Sequence, residues 1–199
     1  MSPQRSNRSV LLEGAIRCLE RLPPERITTR AIAEESGANL ASIRYHFGSK
    51  DELVTAAVIE GLDRWLAEIA TALSDVESQA PEARLHRAAK AIAATRREHA
   101  GLAKNFLGAL ARAQHDPRLR ELLAEGFRET RPRVAALLSL GSDQPGEDAG
   151  GLVHSLFTGL LFQELLSSDL VIEGDRLSRA LGRLRLAIPE PDASLRGRA

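Results

Sequence analysis

One cysteine, one tyrosine, one tryptophan and one methionine stand among 199 residues, and each scarcity narrows what the chain can be. The lone Cys18 forbids an intramolecular disulfide framework. Set in an apolar stretch, it reads as a buried structural thiol rather than a redox sensor. Alternating polar and apolar runs are missing and β-branched residues are few, so no strand is expected. Net charge is zero, with 27 basic and 27 acidic residues, which denies the chain the overall basic excess of many nucleic-acid binders. No run approaches the roughly 20 apolar residues of a membrane span. The opening MSPQRSNRSV has no apolar signal core, so a soluble, cytoplasmic protein with no membrane partner is expected. No two histidines stand four apart on a helix, and cysteine partners are lacking, so no metal site is expected. A Gly-rich phosphate loop, a nucleophile elbow and paired carboxylates are equally missing, which argues against an enzyme and against any cofactor.

What is present is a helix-forming composition rich in Ala, Leu and Arg, and long enough for a substantial core. Its most informative stretch is ITTRAIAEESGANLASIRYHFGSKDE, residues 27–52. Thr28 suits a helix N-cap, with Ile27 and Ile32 placed for a hydrophobic staple. Gly37 supplies the left-handed stop, and Asn39 caps a second short helix over 40–45. Ile43 and Phe47 share its inner face, leaving Ala41, Ser42, Arg44 and Tyr45 outside. After the Gly48 bend, Ser49-Lys50-Asp51-Glu52 forms a capping box that opens a third helix.

Two short helices joined by a tight glycine-containing turn form a helix-turn-helix, whose second helix enters the DNA major groove. Ala41 is small enough for close approach, Arg44 and Ser42 are suited to base edges, and Tyr45, Lys50 and Thr28 to phosphates. An αα-hairpin with a polar outer face has the same pattern. Residues 1–50 carry eight Lys/Arg and five Asp/Glu, a surplus of three, so a modest positive footprint falls on this part of the chain.

The rest reads as helices in series. One is predicted over 9–22, with Leu11, Ala15, Leu19 and Leu22 at helical spacing. A polar arm precedes it, bearing Arg5 and Arg8. A long helix over 49–73 turns Leu53, Ala57, Leu62, Leu66 and Ile69 inward and links the amino-terminal head to the body. After a polar connector at 74–80, helices follow over 81–97, 101–113 and 117–140, the last bent or interrupted at Pro132. Residues 141–148, GSDQPGED, are the clearest loop. The helix over 150–167 is apolar on several sides and so needs partners on several sides, with Gly151 and Gly159 allowing close approach of a neighbour. Leu177, Leu181, Leu184 and Ile188 form a narrow stripe on the last helix.

The string TTRAIAEESGAN followed by SIRYHFGSKDEL resembles the signature of the TetR family of bacterial transcriptional regulators over about the first quarter of the chain. Arg44 where the family often has Tyr, Ala38-Asn39 in place of Val-Ser, and an entry loop of Leu22-Pro23-Pro24-Glu25-Arg26 depart from it. The resemblance implies an all-α fold: a helix-turn-helix head over 1–48, a ligand-binding and dimerisation body over 49–190 and a disordered tail over 191–199. It implies a homodimer on a palindromic operator in double-stranded DNA, more readily a repressor, released when a small apolar or amphipathic effector shifts the long linking helix. Half-sites would lie one turn apart, roughly 34–36 Å. DNA contacts are expected from Thr28, Arg30, Asn39, Leu40, Ala41, Ser42, Arg44, Tyr45, His46 and Lys50. The implied pocket would be lined by Trp65, Phe106, Phe127, Phe157 and Phe162, with His99, Asn105 and Gln163 as its polar groups. The implied dimer interface draws on Leu152, Leu156, Leu160, Leu177, Leu181 and Leu184. Ordinary core packing also accounts for the aromatic set, and an activator or a regulator controlled by a protein partner remains the alternative.

Overall fold

The computed structural model describes residues 6–74 and 80–187. Among them every regular element is helical, as expected. They are α1 (Asn7–Arg21), α2 (Thr29–Ser36), α3 (Leu40–Phe47), α4 (Lys50–Ala72), α5 (Pro81–Thr95), α6 (Ala100–Ala113), α7 (Pro117–Leu137), α8 (Gln144–Glu164) and α9 (Gly174–Ala187). Short 3-10 turns occupy Pro24–Arg26 and Ser168–Leu170. Arg5, most of the predicted connector, Ile188 and the predicted tail lie outside the described residues.

Helix starts follow the side chains that cap them. Ser6 Oγ accepts the Ser9 N–H at 3.2 Å, so α1 begins at Asn7, earlier than predicted. Thr28 Oγ1 accepts from the Ala31 N–H at 3.1 Å, and Asn39 Oδ1 from the Ala41 N–H at 2.9 Å. Each satisfies a donor that a helix N-terminus leaves without a partner. Between these caps Gly37 sits at φ 68°, a conformation that costs glycine nothing and a Cβ-bearing residue more. Ser49 Oγ accepts from the Glu52 N–H at 3.1 Å and donates to its carboxylate at 3.4 Å, fixing the start of α4. The second short helix runs to Phe47 rather than ending at Tyr45.

Two expectations about the body need correction. Pro132 does not interrupt α7. Val134, Ala135 and Leu138 beyond it are buried, and buried Arg84 donates to the Leu137 carbonyl at 2.7 Å. Packing therefore holds the turn although proline removes one donor. The predicted loop at 141–148 ends at Asp143, whose carboxylate accepts the Gly146 N–H at 3.1 Å, with Pro145 in the first turn of α8. The same Asp and Pro that mark loops here start a helix.

The head packs around α1, which contacts α2, α3, α4 and α6. Leu11, Leu19, Ile32, Ile43, Phe47 and Leu53 are buried in one cluster, each contributing on the order of 1.5–3 kcal/mol by leaving water. That cluster continues through Val54, Ala57 and Val58 into Leu102, Phe106 and Leu123 of α6 and α7. It therefore runs across residue 48. Closeness reinforces the junction: a Cβ on Gly101 would stand 2.4 Å from the Leu19 carbonyl oxygen, so α6 rests directly on the α1 backbone. Glu13 of α1 also grips Arg64 of α4 with both carboxylate oxygens. A second cluster, Trp65, Ile69, Leu73, Ala88, Val134 and Leu138, fills the far end of the body. There α8 lies along α7, and α9 docks on α5.

Candidate DNA-reading surface and body cavity

On α3 the side chains divide as helical phase requires. Ile43 and Phe47 are buried, while Leu40, Ala41, Arg44 and Tyr45 are exposed, Tyr45 to 85%. An aromatic residue exposed to that degree adds nothing to the core, which leaves most of its ring and its hydroxyl for another surface. His46 meets the Tyr45 ring edge-on at 4.8 Å, and Ser42 is half-buried beside Ile43. Asn39 and Thr28 spend their side-chain oxygens as caps. Arg30 pairs with Glu34 at 2.9 Å, one turn along α2, and Lys50 Nζ lies 3.4 Å from Asp51. Both cations are surface-paired, interactions of about 0–1 kcal/mol that a phosphate can replace. Arg8, predicted in a polar arm, instead belongs to α1, and its guanidinium sits over the Phe47 ring at 5.0 Å. That contact brings it to the base of α3. No sequence spacing signals it, because the two residues lie 39 positions apart in the chain.

The body contains a cavity of about 160 Å³ that is partly open to solvent. Its walls come from α4 (Ile59, Leu62, Trp65, Leu66, Ile69), α5 (Ala88, Ala89, Ile92), α6 (Phe106), α7 (Leu123, Phe127, Thr130, Val134) and α8 (Val153, His154, Phe157, Thr158, Leu161). The segment before α9, Val171 to Glu173, closes one side together with Leu177. Trp65 is oriented by its Nε1–H, which donates to Thr95 Oγ1 at 2.7 Å, and that hydroxyl donates in turn to the Ala91 carbonyl at 2.9 Å. Phe106 is held between Phe127 and Phe162, with ring centroids 5.9 and 5.7 Å away, and Phe127 meets His154 at 5.2 Å. Burial, then the nearby Arg131 charge, push His154 below its ordinary pKa, so the ring is neutral at pH 7.

Of the predicted pocket residues, Trp65, Phe106, Phe127 and Phe157 line the cavity, and the other four do not. Phe162 stacks behind Phe106. His99 lies behind Trp65, rings 4.6 Å apart, with Nε2 3.1 Å from Glu68. Asn105 turns its amide to the Gly101 carbonyl at 2.8 Å, and Gln163 is exposed. The polar groups that do reach the cavity were missed. They are His154, Thr158 and Thr130, and the charged Asp63, Arg96, Glu164 and Glu173. His154, Phe157, Thr158 and Leu161 share one face of α8 by their i, i+3, i+4, i+7 spacing, a signal present in the sequence but obscured by leucines all round that helix.

Among the residues predicted for a dimer interface, Leu152 and Leu184 are exposed, and Leu156, Leu160 and Leu181 half-buried. Leu177 is buried and, like Leu160, lines the cavity, so its side chain serves its own subunit. Gly151 faces the Arg131 side chain of α7, whereas a Cβ added at Gly159 would meet nothing within 4 Å among the described residues outside its own helix backbone. Among the described residues no helix is long and apolar enough to cross a membrane, and no group of three His, Cys, Asp or Glu could hold a metal ion.

Residues 11–57 match the model for bacterial regulatory proteins of the tetR family. Residues 81–183, more than half of the chain, match the model for the carboxy-terminal part of BetI-type transcriptional repressors. The chain belongs to the TetR family. It is accordingly a DNA-binding transcriptional regulator and not an enzyme. Among solved structures, the multidrug binding protein EbrR complexed with imidazole is 25% identical, with 96% of this chain and 99% of that chain covered and a TM-score of 0.62. A putative transcriptional regulator from Rhodococcus sp. RHA1 is 18% identical over 92% of this chain and 96% of its own, with a TM-score of 0.64. One from Pseudomonas aeruginosa PAO1 is 20% identical over 81% and 80%, with a TM-score of 0.58. At such identities the last two show this TetR-family fold alone. No curated protein matches the chain significantly.

Proposed function

We propose that this TetR-family protein is a cytoplasmic homodimeric repressor. It reads a palindromic operator through α3 and is released by a small apolar or amphipathic molecule bound in the body cavity. The head comprises residues 1–48 and the body 49–190. The observation that carries this reading is the dual membership of α4. Its first turns, Leu53 to Val58, belong to the core of the head, and its later turns, Ile59 to Ile69, form a wall of the cavity. A molecule that prefers one position of α4 thereby favours one position of the head, and only that difference in affinity shifts the balance. The repressive sign is supported by the carboxy-terminal match, whose model is named for repressors. EbrR, similar along nearly the whole chain, is a multidrug binding protein, which supports a small-molecule effector.

On the DNA, Ala41, Ser42 and Arg44 address base edges. Thr28, Arg30, Tyr45, His46 and Lys50 address phosphates or brace α3, which Asn39 caps and Leu40 begins. The test is binding of the purified protein to DNA from upstream of its own gene beside random DNA, at two salt concentrations. Preference for the upstream fragment that survives the higher salt, with a two-fold symmetric footprint, is expected. Equal and salt-sensitive binding to both fragments, across a metabolite panel, would overturn the reading, since counterion release alone gives that behaviour.

A further inference from the structure

The cavity constrains what can fill it in three ways. The first is size: about 160 Å³ matches the roughly 150 Å³ of an engineered Leu/Ile/Phe-lined cavity in another protein that admits benzene. Room exists there for one ring and a substituent.

The second is charge. Asp63 is paired with Arg133. Arg96 lies between Glu164, 2.9 Å from its Nε, and Glu173. Arg96 and Glu164 are largely enclosed, while the surplus carboxylate, Glu173, is half exposed. An anionic ligand would have to break one of these pairs or stay unpaired away from water, and both are costly. A cation could add only to the Arg96–Glu173 pair, whose carboxylate is half exposed and so screened by water.

The third is the neutral hydrogen-bonding set. His154 makes no hydrogen bond among the described residues, and neither does Thr158 one turn further along the same face of α8. Thr130 Oγ1, also in the wall, donates to the Gly126 carbonyl at 2.8 Å, which leaves its lone pairs to accept. Polar groups at a cavity wall with unspent capacity are matched by a ligand that supplies their partners.

Resting on the reading that this cavity is the effector site, we propose that the effector is a neutral one-ring molecule whose single hydroxyl or carbonyl group hydrogen-bonds to His154 and Thr158. The ring lies among Trp65, Phe106, Phe127 and Phe157, and the polar group points at α8.

Trp65 is the sole tryptophan of the chain and lines the cavity, so intrinsic emission reports occupancy. The full-length protein is titrated with benzyl alcohol, toluene, benzoate, benzylammonium and two-ring diphenylmethanol. Benzyl alcohol is expected to change Trp65 emission saturably and to bind about 3- to 10-fold more tightly than toluene, the value of one hydrogen bond. Both charged analogues should bind at least about tenfold more weakly than benzyl alcohol, and diphenylmethanol not at all. In His154→Leu, benzyl alcohol should fall to the level of toluene while toluene is unchanged, and His154→Gln should restore part of the difference. A charged analogue or the two-ring compound binding as tightly as benzyl alcohol would overturn the proposal, as would no response of Trp65 to any of them. Release of upstream DNA by a charged or larger compound would separate the cases, since the cavity would then still be the effector site with its chemistry misassigned.

Discussion

At the residue scale, the division of labour on α3 and around it predicts two different kinds of loss. Arg44 is exposed on the recognition helix, where a guanidinium can reach guanine O6 and N7. Arg44→Ala should therefore cost about 1–3 kcal/mol on the operator and nothing on random DNA. Lys50 lies at the start of α4, and Lys50→Ala should weaken both DNAs alike and lower the salt slope by about one. Binding isotherms at several salt concentrations distinguish the two; uniform weakening by Arg44→Ala would remove it from the base-reading set. His154 makes a residue-scale prediction about stability. Its folded pKa lies below the ordinary 6.5, so the unfolded chain takes up the proton first as pH falls. Stability should decline from about pH 6.5 downward and level off below the depressed folded value. Glu35 is also held below its ordinary 4.5, by the Arg17 hydrogen bond, and its contribution is lost only below that value. Denaturant midpoints at about pH 7.5 and 5.5 therefore bracket the His154 step and stay above that of Glu35, and His154→Leu should reduce the difference. These residues show what a sequence can reveal. Arg44 was legible because helical phase on a short, capped helix leaves few choices. His154, Asn105 and Gln163 were not, because burial and hydrogen-bond partners depend on which side of a longer helix meets its neighbours.

At the element scale, short-range chemistry was read correctly and long-range chemistry was not. The caps at Thr28, Asn39 and Ser49 lie two or three residues from the N–H groups they satisfy, so the sequence itself contains both partners. The start of α8 was misread because Asp143 and Pro145 serve loops and helix starts equally. The rest of α6 could be predicted as a helix but not as a strut. Leu102 of α6 packs against Gly61 of α4, where a Cβ would stand 2.8 Å from it, and Gly101 rests on the Leu19 carbonyl of α1. One turn further, Phe106 forms part of the cavity wall. This gives α6 a direct bearing on the head beside the path through α4. Gly101→Ala inserts a Cβ against backbone that has no rotamer by which to yield. It should destabilise the protein by about 1–3 kcal/mol through forced separation of α1 and α6, measured by denaturant unfolding. Gly159→Ala, with open space around it, should instead raise subunit stability by the helix-propensity gain of about 0.5–1 kcal/mol. Equal effects of the two changes would mean that the α1–α6 contact is looser than its geometry implies.

At the scale of the whole molecule, what matters is what one subunit leaves uncovered. Leu152 on α8 is exposed to 73% and Leu184 on α9 to 57%, and Leu166 and Leu186 are still more exposed. Isolated exposed leucines need no explanation, but several on and just after the two last helices, with room for a neighbour beside Gly159, form a surface that water covers poorly. A second copy of the same surface is the occupant a closed two-fold dimer supplies. In the proposed dimer the leucines sort into two roles that sequence periodicity could not separate: Leu152 and Leu184, exposed, are left for the partner, and Leu177 lies in the cavity wall and core of its own subunit. Leu152→Arg should convert the dimer to monomer, read as a halved mass by light scattering, while the melting behaviour of the subunit itself is retained. Leu177→Ala should do the reverse, lowering stability by about 2–5 kcal/mol at unchanged mass. The DNA consequence follows from linkage. Two heads joined by one interface bind as one ligand, with a gain of the order of 10²–10⁴ over a single head. Leu152→Arg should therefore lose most affinity for the operator with Arg44 and Lys50 intact, and its remaining binding should resemble that to random DNA. A Leu152→Arg protein that stays dimeric, or a monomer that keeps full operator affinity, would place the interface elsewhere or remove the need for one.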